Sequence, residues 1–168
     1  RSFNRSMPEE VNRVVADHLS NLLFCPTDRA VQNLAEEGIT QGIHMVGDVM
    51  ADALFIFARI AAEKSTILDK LDLQPREYGL VTVHRSGNVD DKQKLADILE
   101  GLSRTQARLV FPMHPRTQKM VAEFGLAIPA NLKVIEPVGY LDMLMLEQNA
   151  ECILTDSGGI QKEAYLFG

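Results

Sequence analysis

The sequence is short of cysteine, of long apolar runs and of positive charge. No stretch reaches the ~18 consecutive apolar residues that a membrane-spanning helix needs. Cys25 and Cys152 each lie in an apolar run and form no C-x-x-C pair, which predicts two buried free thiols in a reducing compartment and no metal site. The first five residues lack the apolar core of a signal peptide. These absences predict a cytoplasmic protein without a metal ion or a membrane segment.

The deficit of positive charge limits the choice of partners. The sequence has 17 Lys and Arg residues and 23 Asp and Glu residues, which gives a net charge of −6. This balance argues against nonspecific binding of nucleic acid, and an anionic ligand would need a local positive site. The 168 residues suit one domain, or one domain plus part of another. Because the sequence begins without Met and stops in or just past a predicted helix, we expect an interior piece of a longer protein.

Short apolar runs alternate with helical patterns along the chain. Strands are predicted at residues 22–25, 43–46, 80–83, 109–113, 132–135 and 152–154, and those at 22–25 and 152–154 are expected to be buried. The last four begin consecutive strand–loop–helix units, which predict an α/β fold with a Rossmann-like, doubly wound parallel sheet. A boundary near residues 47–50 would make residues 1–48 the end of one α/β domain and residues 49–168 most of a second.

Residues 155–164, Thr-Asp-Ser-Gly-Gly-Ile-Gln-Lys-Glu-Ala, follow the last predicted strand and open a helix predicted over residues 160–167. A strand, a glycine-rich turn and a helix in this order direct free N–H groups and the positive helix end at one point, where phosphate binds readily. Ser157 adds a hydroxyl, and Glu163 is placed to accept hydrogen bonds from a ribose diol. The alternative is a helix start capped by Asp156 or Ser157, with no ligand.

Three further polar loops are predicted at the same edge of the sheet, at residues 84–88, 114–116 and 136–139. Ligands of such sheets bind beyond the carboxyl ends of the strands. His84 and His114 directly follow strands, and Arg85 and Arg116 in the same loops could pair with phosphate or be solvated. A single histidine is more often a hydrogen-bonded structural residue. Two histidine loops beside a phosphate-type turn bring a ligand site nearer to equal weight, and both interpretations stay open here.

Six motifs, in this order, resemble the UDP-N-acetylglucosamine 2-epimerase family. They are Met-Pro-Glu-Glu-Val-Asn-Arg at 7–13, Val-Gly-Asp-Val-Met at 46–50, Thr-Val-His-Arg at 82–85, Pro-Met-His-Pro at 112–115, Glu-Pro and Gly-Tyr-Leu within 136–141, and residues 155–164. The likeness spans nearly the whole chain, and the combination is more specific than any single motif. The resemblance implies the GT-B fold, with an active site in the cleft between two Rossmann-like domains.

The resemblance also implies an isomerase that converts UDP-GlcNAc to UDP-ManNAc with no metal or nicotinamide cofactor. In the family's non-hydrolysing branch, UDP leaves as the C2 proton is lost, and UDP then adds back to 2-acetamidoglucal with C2 inverted. By motif position, the resemblance implies that His84 and Glu9 act in catalysis. It implies that Ser157, Gly158 and Gly159 bind the diphosphate, that Glu163 binds the ribose, and that Val138 and Met143 lie near the uracil. It also implies that Arg85 and His114 contact a second, activating UDP-GlcNAc found in some bacterial members.

Family members commonly carry Glu where Gly87 stands, so this chain lacks one carboxylate beside His84. Acids of the family's first domain would precede residue 1, and a diphosphate loop would follow residue 168, so we expect the chain to be inactive alone. The alternatives are the hydrolysing branch, which releases ManNAc and UDP, another GT-B nucleotide-sugar enzyme such as a glycosyltransferase, and a UDP-binding module without catalysis. For the complete protein we expect a homodimer in cell-envelope polysaccharide biosynthesis, with no nucleic-acid or membrane partner.

Overall fold

The chain divides between Ala53 and Leu54 into two units, a little beyond the boundary expected after Asp48. The structure is a computed structural model that describes residues 3–168. Its elements in chain order are α1 (Pro8–Leu19), β1 (Leu23–Cys25), α2 (Asp28–Glu36), β2 (Ile43–Met45), α3 (Val49–Lys64), α4 (Ile67–Leu71), β3 (Gly79–Thr82), α5 (Ser86–Val89), α6 (Lys92–Ser103), β4 (Leu109–Pro112), α7 (Pro115–Phe124), β5 (Leu132–Ile135), α8 (Tyr140–Asn149), β6 (Cys152–Thr155) and α9 (Gly158–Phe167).

The first unit contains a parallel pair of strands, β1 and β2, in which Leu23 pairs with Ile43. Leu23 and Cys25 are buried against Leu34 of α2. Phe24 is 66% exposed, so the prediction of a buried strand at residues 22–25 is wrong at this position. The reason is the two-residue period of a strand, which turns Phe24 to the face opposite the small core.

The second unit contains a four-stranded parallel sheet in the order β5-β4-β3-β6. Side chains of the central strands β3 and β4 alternate between two apolar cores. One core is built on Val81, Leu109 and Phe111 with Leu95, Leu99 and Val121 of α6 and α7. The other is built on Leu80 and Val110 with Ile67 of α4 and Leu146 of α8. Helices therefore cover both faces, and the predicted doubly wound α/β fold is confirmed.

Side chains of the strands on both sides of β3 occupy the space that a side chain at Gly79 would need. A Cβ at Gly79 would lie 2.7 Å from a methyl carbon of Leu109 and 3.1 Å from the sulfur of Cys152. Cys152 itself is an exposed free thiol, whereas Cys25 is a buried one. The prediction of a buried strand at residues 152–154 is therefore wrong, because β6 is the edge strand of the described sheet and is only partly covered.

Local signals in the sequence set most of the helix ends. Pro115 begins α7, where its missing N–H costs nothing, and Gly125 ends it with a φ of 65°. The predicted loop at residues 84–88 instead contains the short helix α5. The helix expected from residue 160 begins earlier, at Gly158, because Ser157 caps it.

Candidate functional site

The order of the strands reverses between β3 and β6. The chain moves from β3 outward to β4 and β5, and then returns to the opposite side of β3 as β6. Thr82 pairs with Thr155, so the loops that follow β3 and β6 leave the sheet side by side. A reversal of this kind opens a crevice at the carboxyl ends of the strands, the usual binding place in such sheets.

Threonine hydroxyls hold both sides of this crevice. The Oγ1 atoms of Thr82 and Thr155 are 2.6 Å apart, and Thr155 Oγ1 also accepts a 2.9 Å hydrogen bond from the N–H of Ser157. The buried hydroxyl of Thr117 on α7 donates to the carbonyl oxygen of Val83 at 2.8 Å. The end of β3 is thus fixed from two directions.

Asp156 joins the two loops. Its carboxylate accepts hydrogen bonds from the backbone N–H groups of His84 and Arg85, at 3.1 and 2.9 Å, and from the side-chain amide of Asn88 at 2.9 Å. Of the two N-caps considered from the sequence, Ser157 is the one observed, because its hydroxyl accepts from the N–H of Ile160. Asp156 therefore orients the His84 loop and does not cap the helix.

The Asp156 carboxylate is also stabilised as an anion beside the His84 ring. Partial burial acts to raise the pKa of Asp156, but the hydrogen bonds from Arg85, Asn88 and His84 and the nearby imidazole outweigh it and lower that pKa. His84 Nδ1 lies 3.3 Å from Asp156 Oδ1. With Nδ1 facing the carboxylate, Nε2 is the ring nitrogen left for a ligand.

The start of α9 forms a positive corner. The first-turn N–H groups at Gly158 and Gly159 have no acceptor within the helix, as at any helix start. A Cβ at Gly158 would lie 3.7 Å from Arg85 Nη2, so the guanidinium is beside this turn. Arg85, Ser157 and the two glycines therefore meet at one point, where an anion would be attracted despite the net charge of −6.

A cavity of about 230 Å³ opens next to this corner. Its lining includes four of the predicted site residues, His84, His114, Val138 and Met143. His114 caps α7, since its Nδ1 accepts the N–H of Arg116 at 3.2 Å. Val138 and Met143 also pack on the core beneath β3 and β4. The predicted convergence of the loops is therefore present in the structure, with an apolar cavity on one side and a positive corner on the other.

Glu163 lies on α9, half-buried, and its Oε1 accepts a 3.0 Å hydrogen bond from the hydroxyl of Tyr140 on α8. A second carboxylate, Glu147, is near enough to feel its charge. Glu147 is 3% exposed, and neither of its oxygens has a hydrogen-bond partner among the described residues. Burial, assisted by the charge of Glu163, raises the pKa of Glu147 to about 8.

Two candidates are not part of this group. Glu9 belongs to the first unit, where it is exposed in the first turn of α1, so the group within the second unit does not include it. Arg116, considered as a phosphate partner, is instead paired with Asp90, with Nε donating to Oδ1 at 3.0 Å.

Sequence reasoning missed the roles of Asp156, Asn88 and Tyr140. The strand register held one usable signal, because pairing of Thr82 with Thr155 puts residue 156 next to residues 83 and 84. Nothing in the sequence indicated that Tyr140 contacts Glu163, 23 residues later. Within residues 3–168, no three His, Cys, Asp or Glu side chains are grouped to hold a metal ion. Across the same described part of the chain, no helix combines the length and apolarity needed to cross a membrane.

A parallel sheet with a strand-order reversal, a glycine-rich helix start and an arginine beside it is typical of nucleotide-binding α/β proteins. Comparison with known proteins specifies the family. The chain belongs to the UDP-N-acetylglucosamine 2-epimerase family, whose model matches residues 1–168.

The relatives are similar over almost all of this chain but only about half of their own length. A UDP-N-acetylglucosamine 2-epimerase homolog of Methanococcus maripaludis is 49% identical, over 99% of this chain and 48% of that protein. A UDP-2,3-diacetamido-2,3-dideoxy-D-glucuronate 2-epimerase of Pseudomonas aeruginosa is 43% identical, over 100% of this chain and 47% of that protein. The crystal structure of Methanocaldococcus jannaschii UDP-GlcNAc 2-epimerase, in complex with UDP-GlcNAc and UDP, matches with a TM-score of 0.89 and 44% identity, over 99% of this chain and 49% of that one.

These matches confirm the resemblance found in the sequence. The parallel α/β fold is that of the GT-B epimerase structures. The chain spans about half the length of the curated relatives it matches, as expected for a partial chain.

Proposed function

We propose that the complete protein containing this chain is a UDP-N-acetylglucosamine 2-epimerase that converts UDP-GlcNAc to UDP-ManNAc. One observation carries the proposal: the β3–β6 reversal joins the His84 loop to the Ser157-Gly158-Gly159 helix start through Asp156. Family membership and the UDP-GlcNAc and UDP named for the Methanocaldococcus structure support the choice of substrate. Binding of UDP without catalysis is the alternative from another class of protein.

In the proposed reaction, the bond between C1 of the sugar and the diphosphate oxygen breaks as a base removes the proton from C2. This leaves 2-acetamidoglucal and UDP. UDP then adds back to C1, and a proton returns to the opposite face of C2. Charge grows on the diphosphate as it leaves, so fixed donors around it would lower the barrier.

The second unit supplies those donors. The N–H groups of Gly158 and Gly159, the Ser157 hydroxyl and Arg85 would hold the diphosphate. His84 Nε2 would carry a proton at the diphosphate or at the sugar, with Nδ1 facing Asp156.

The nucleoside would occupy the rest of the site. Glu163 would accept hydrogen bonds from the ribose hydroxyls, and the apolar cavity at Val138 and Met143 would receive the uracil. We assign Glu9 as a further acid of the cleft from its motif position alone. Arg85 and His114 are also candidates for contact with a second, activating UDP-GlcNAc. Homodimer formation, a cytoplasmic location and a role in cell-envelope polysaccharide biosynthesis stay predictions.

The test is to incubate the complete protein with UDP-GlcNAc in D₂O and follow the products by NMR. UDP-ManNAc carrying deuterium at C2 is the expected result. Free ManNAc and UDP would instead indicate the hydrolysing branch. Binding of UDP with no product in the absence of an acceptor would favour a glycosyltransferase or a binding module.

A second substrate belongs in the same assay. The Pseudomonas relative, 43% identical over the whole chain, is named for UDP-2,3-diacetamido-2,3-dideoxy-D-glucuronate. Both sugars carry a 2-acetamido group on a UDP anchor, and the proposed site would contact the anchor. Turnover of the diacetamido sugar in preference to UDP-GlcNAc would keep the reaction class and change the substrate.

A further inference from the structure

Tyr140 links the start of α8 to the middle of α9. Its hydroxyl donates to Glu163 Oε1 at 3.0 Å. The Tyr140 ring is itself held by Phe57 of α3, which meets it edge-on with ring centroids 5.7 Å apart and an interplanar angle of 75°. Such an arrangement fixes the ring and, through the hydroxyl, the carboxylate.

The hydrogen bond leaves Glu163 able to accept others. A carboxylate has about four lone-pair positions on two oxygens, and Tyr140 occupies one. An unrestrained glutamate side chain would lose rotamer freedom each time a ligand bound. A side chain that is already oriented avoids most of this cost.

Tyr140 stays a donor throughout the physiological pH range. Partial burial, then the hydrogen bond and charge of Glu163 and the charge of Glu147, raise the pKa of Tyr140 to about 12, although the residue is 45% exposed. A tyrosine that keeps its proton beside a carboxylate orients that carboxylate without adding charge.

We propose that Tyr140 is a positioning residue that holds the Glu163 carboxylate ready for the vicinal diol of a nucleoside. The inference rests on the proposed function, in which Glu163 contacts the ribose of UDP. Tyr140 itself touches neither the sugar nor the reacting atoms in this assignment, and it acts through Glu163.

The experiment measures binding of UDP and of 2′,3′-dideoxy-UDP to the complete protein by calorimetry. Tyr140→Phe should weaken UDP about 5- to 10-fold, because the Glu163 side chain must then be oriented when the ligand binds, and should weaken the dideoxy nucleotide less than about twofold. Placed on top of Glu163→Gln, the same substitution should produce no further loss of UDP affinity. Tyr165→Phe is the matched control, because Tyr165 lies on α9 and is 84% exposed.

Two results overturn the inference while leaving the proposed function intact. One is an equal loss of both nucleotides in Tyr140→Phe. The other is a loss that simply adds to that of Glu163→Gln, since either result means that Tyr140 only packs. If the wild-type protein binds no UDP, or binds both nucleotides equally, the ribose assignment of the proposed function fails and the inference fails with it.

Discussion

The Asp156 carboxylate gives the His84 loop its shape. It accepts the N–H groups of His84 and Arg85 and the amide of Asn88, and it also faces the imidazole. A histidine that only supported the loop would not need a neighbouring anion to orient its ring. The Asp156–His84 pair therefore favours a chemical role for Nε2, and the next prediction tests this role.

Substitution of His84 by Asn in the complete protein should collapse turnover. Asn retains a hydrogen-bonding side chain but cannot take up or release a proton near pH 7, and loss of a positioned acid or base typically costs about 10²- to 10⁴-fold. The measurement is kcat at saturating UDP-GlcNAc, together with the melting temperature and UDP affinity, which should both hold. His18→Asn, at an exposed histidine of α1, is the control. Turnover within a few-fold of wild type would show that His84 only supports the loop.

Glu147 predicts a pH dependence of stability. Its pKa is about 8 in the folded chain against an ordinary value of 4.5, so between these values the folded state holds a proton that the unfolded state releases. The contribution of Glu147 to the free energy of unfolding is therefore fully present below about pH 4.5, and it is lost as the pH rises through about 8. Glu147→Met removes the buried acid, so the variant should match wild type at pH 5 and exceed it by roughly 1–3 kcal/mol at pH 8.5.

The measurement for Glu147 is the apparent stability of the complete protein in urea at both pH values. Glu151→Met is the matched control, because Glu151 is an exposed carboxylate on the following turn and should retain the wild-type pH dependence. An unchanged pH dependence in Glu147→Met would contradict the prediction.

At the scale of an element, Gly158 of α9 is a position where a substitution should change ligand binding without changing stability. A Cβ at Gly158 would have Arg85 Nη2 at 3.7 Å as its nearest neighbour, which is an ordinary contact, so the fold accepts Ala there. The added methyl group would collide with a ligand that binds close to the helix start. Gly158→Ala should leave the melting temperature unchanged and weaken UDP at least about tenfold, since an added methyl group costs roughly 1–3 kcal/mol in a close contact.

Gly101→Ala provides the comparison for Gly158→Ala, because Gly101 lies in α6 with open space around its Cα. This variant should gain about 0.5–1 kcal/mol from helix propensity and bind UDP as wild type does. Equal UDP affinity in both variants would mean that no ligand approaches Gly158 closely, and the helix start would then be only a capped end.

At the scale of the whole molecule, this chain corresponds to about half of each relative. In the resemblance found from the motifs, the active site lies between two domains. We therefore predict that the 168-residue chain binds UDP weakly and does not convert UDP-GlcNAc. The assay compares the purified chain with the complete protein, and circular dichroism confirms that the chain is folded. Turnover by the chain alone would disprove the prediction.

The sequence by itself determined the succession of elements, because each depends on near neighbours. Pro115, Gly125 and Ser157 mark helix ends by local hydrogen bonding and backbone geometry, and the apolar runs of β3 and β4 mark central strands. The motifs also determined the family, since six of them occur in order. The loop residues predicted to converge do converge, because parallel strands carry their carboxyl ends to one edge.

Only the tertiary structure decided which groups are partners across that edge. The order β5-β4-β3-β6 makes β6 an edge strand, which exposes Cys152 and sets residue 156 beside the His84 loop. Packing of α8 on α9 brings Tyr140 to Glu163 and buries Glu147 without a hydrogen-bond partner in the part of the chain that the structure describes. Local patterns cannot specify such pairings, because pairing energies depend on which distant segments the sheet and its helices bring within a few ångströms of each other.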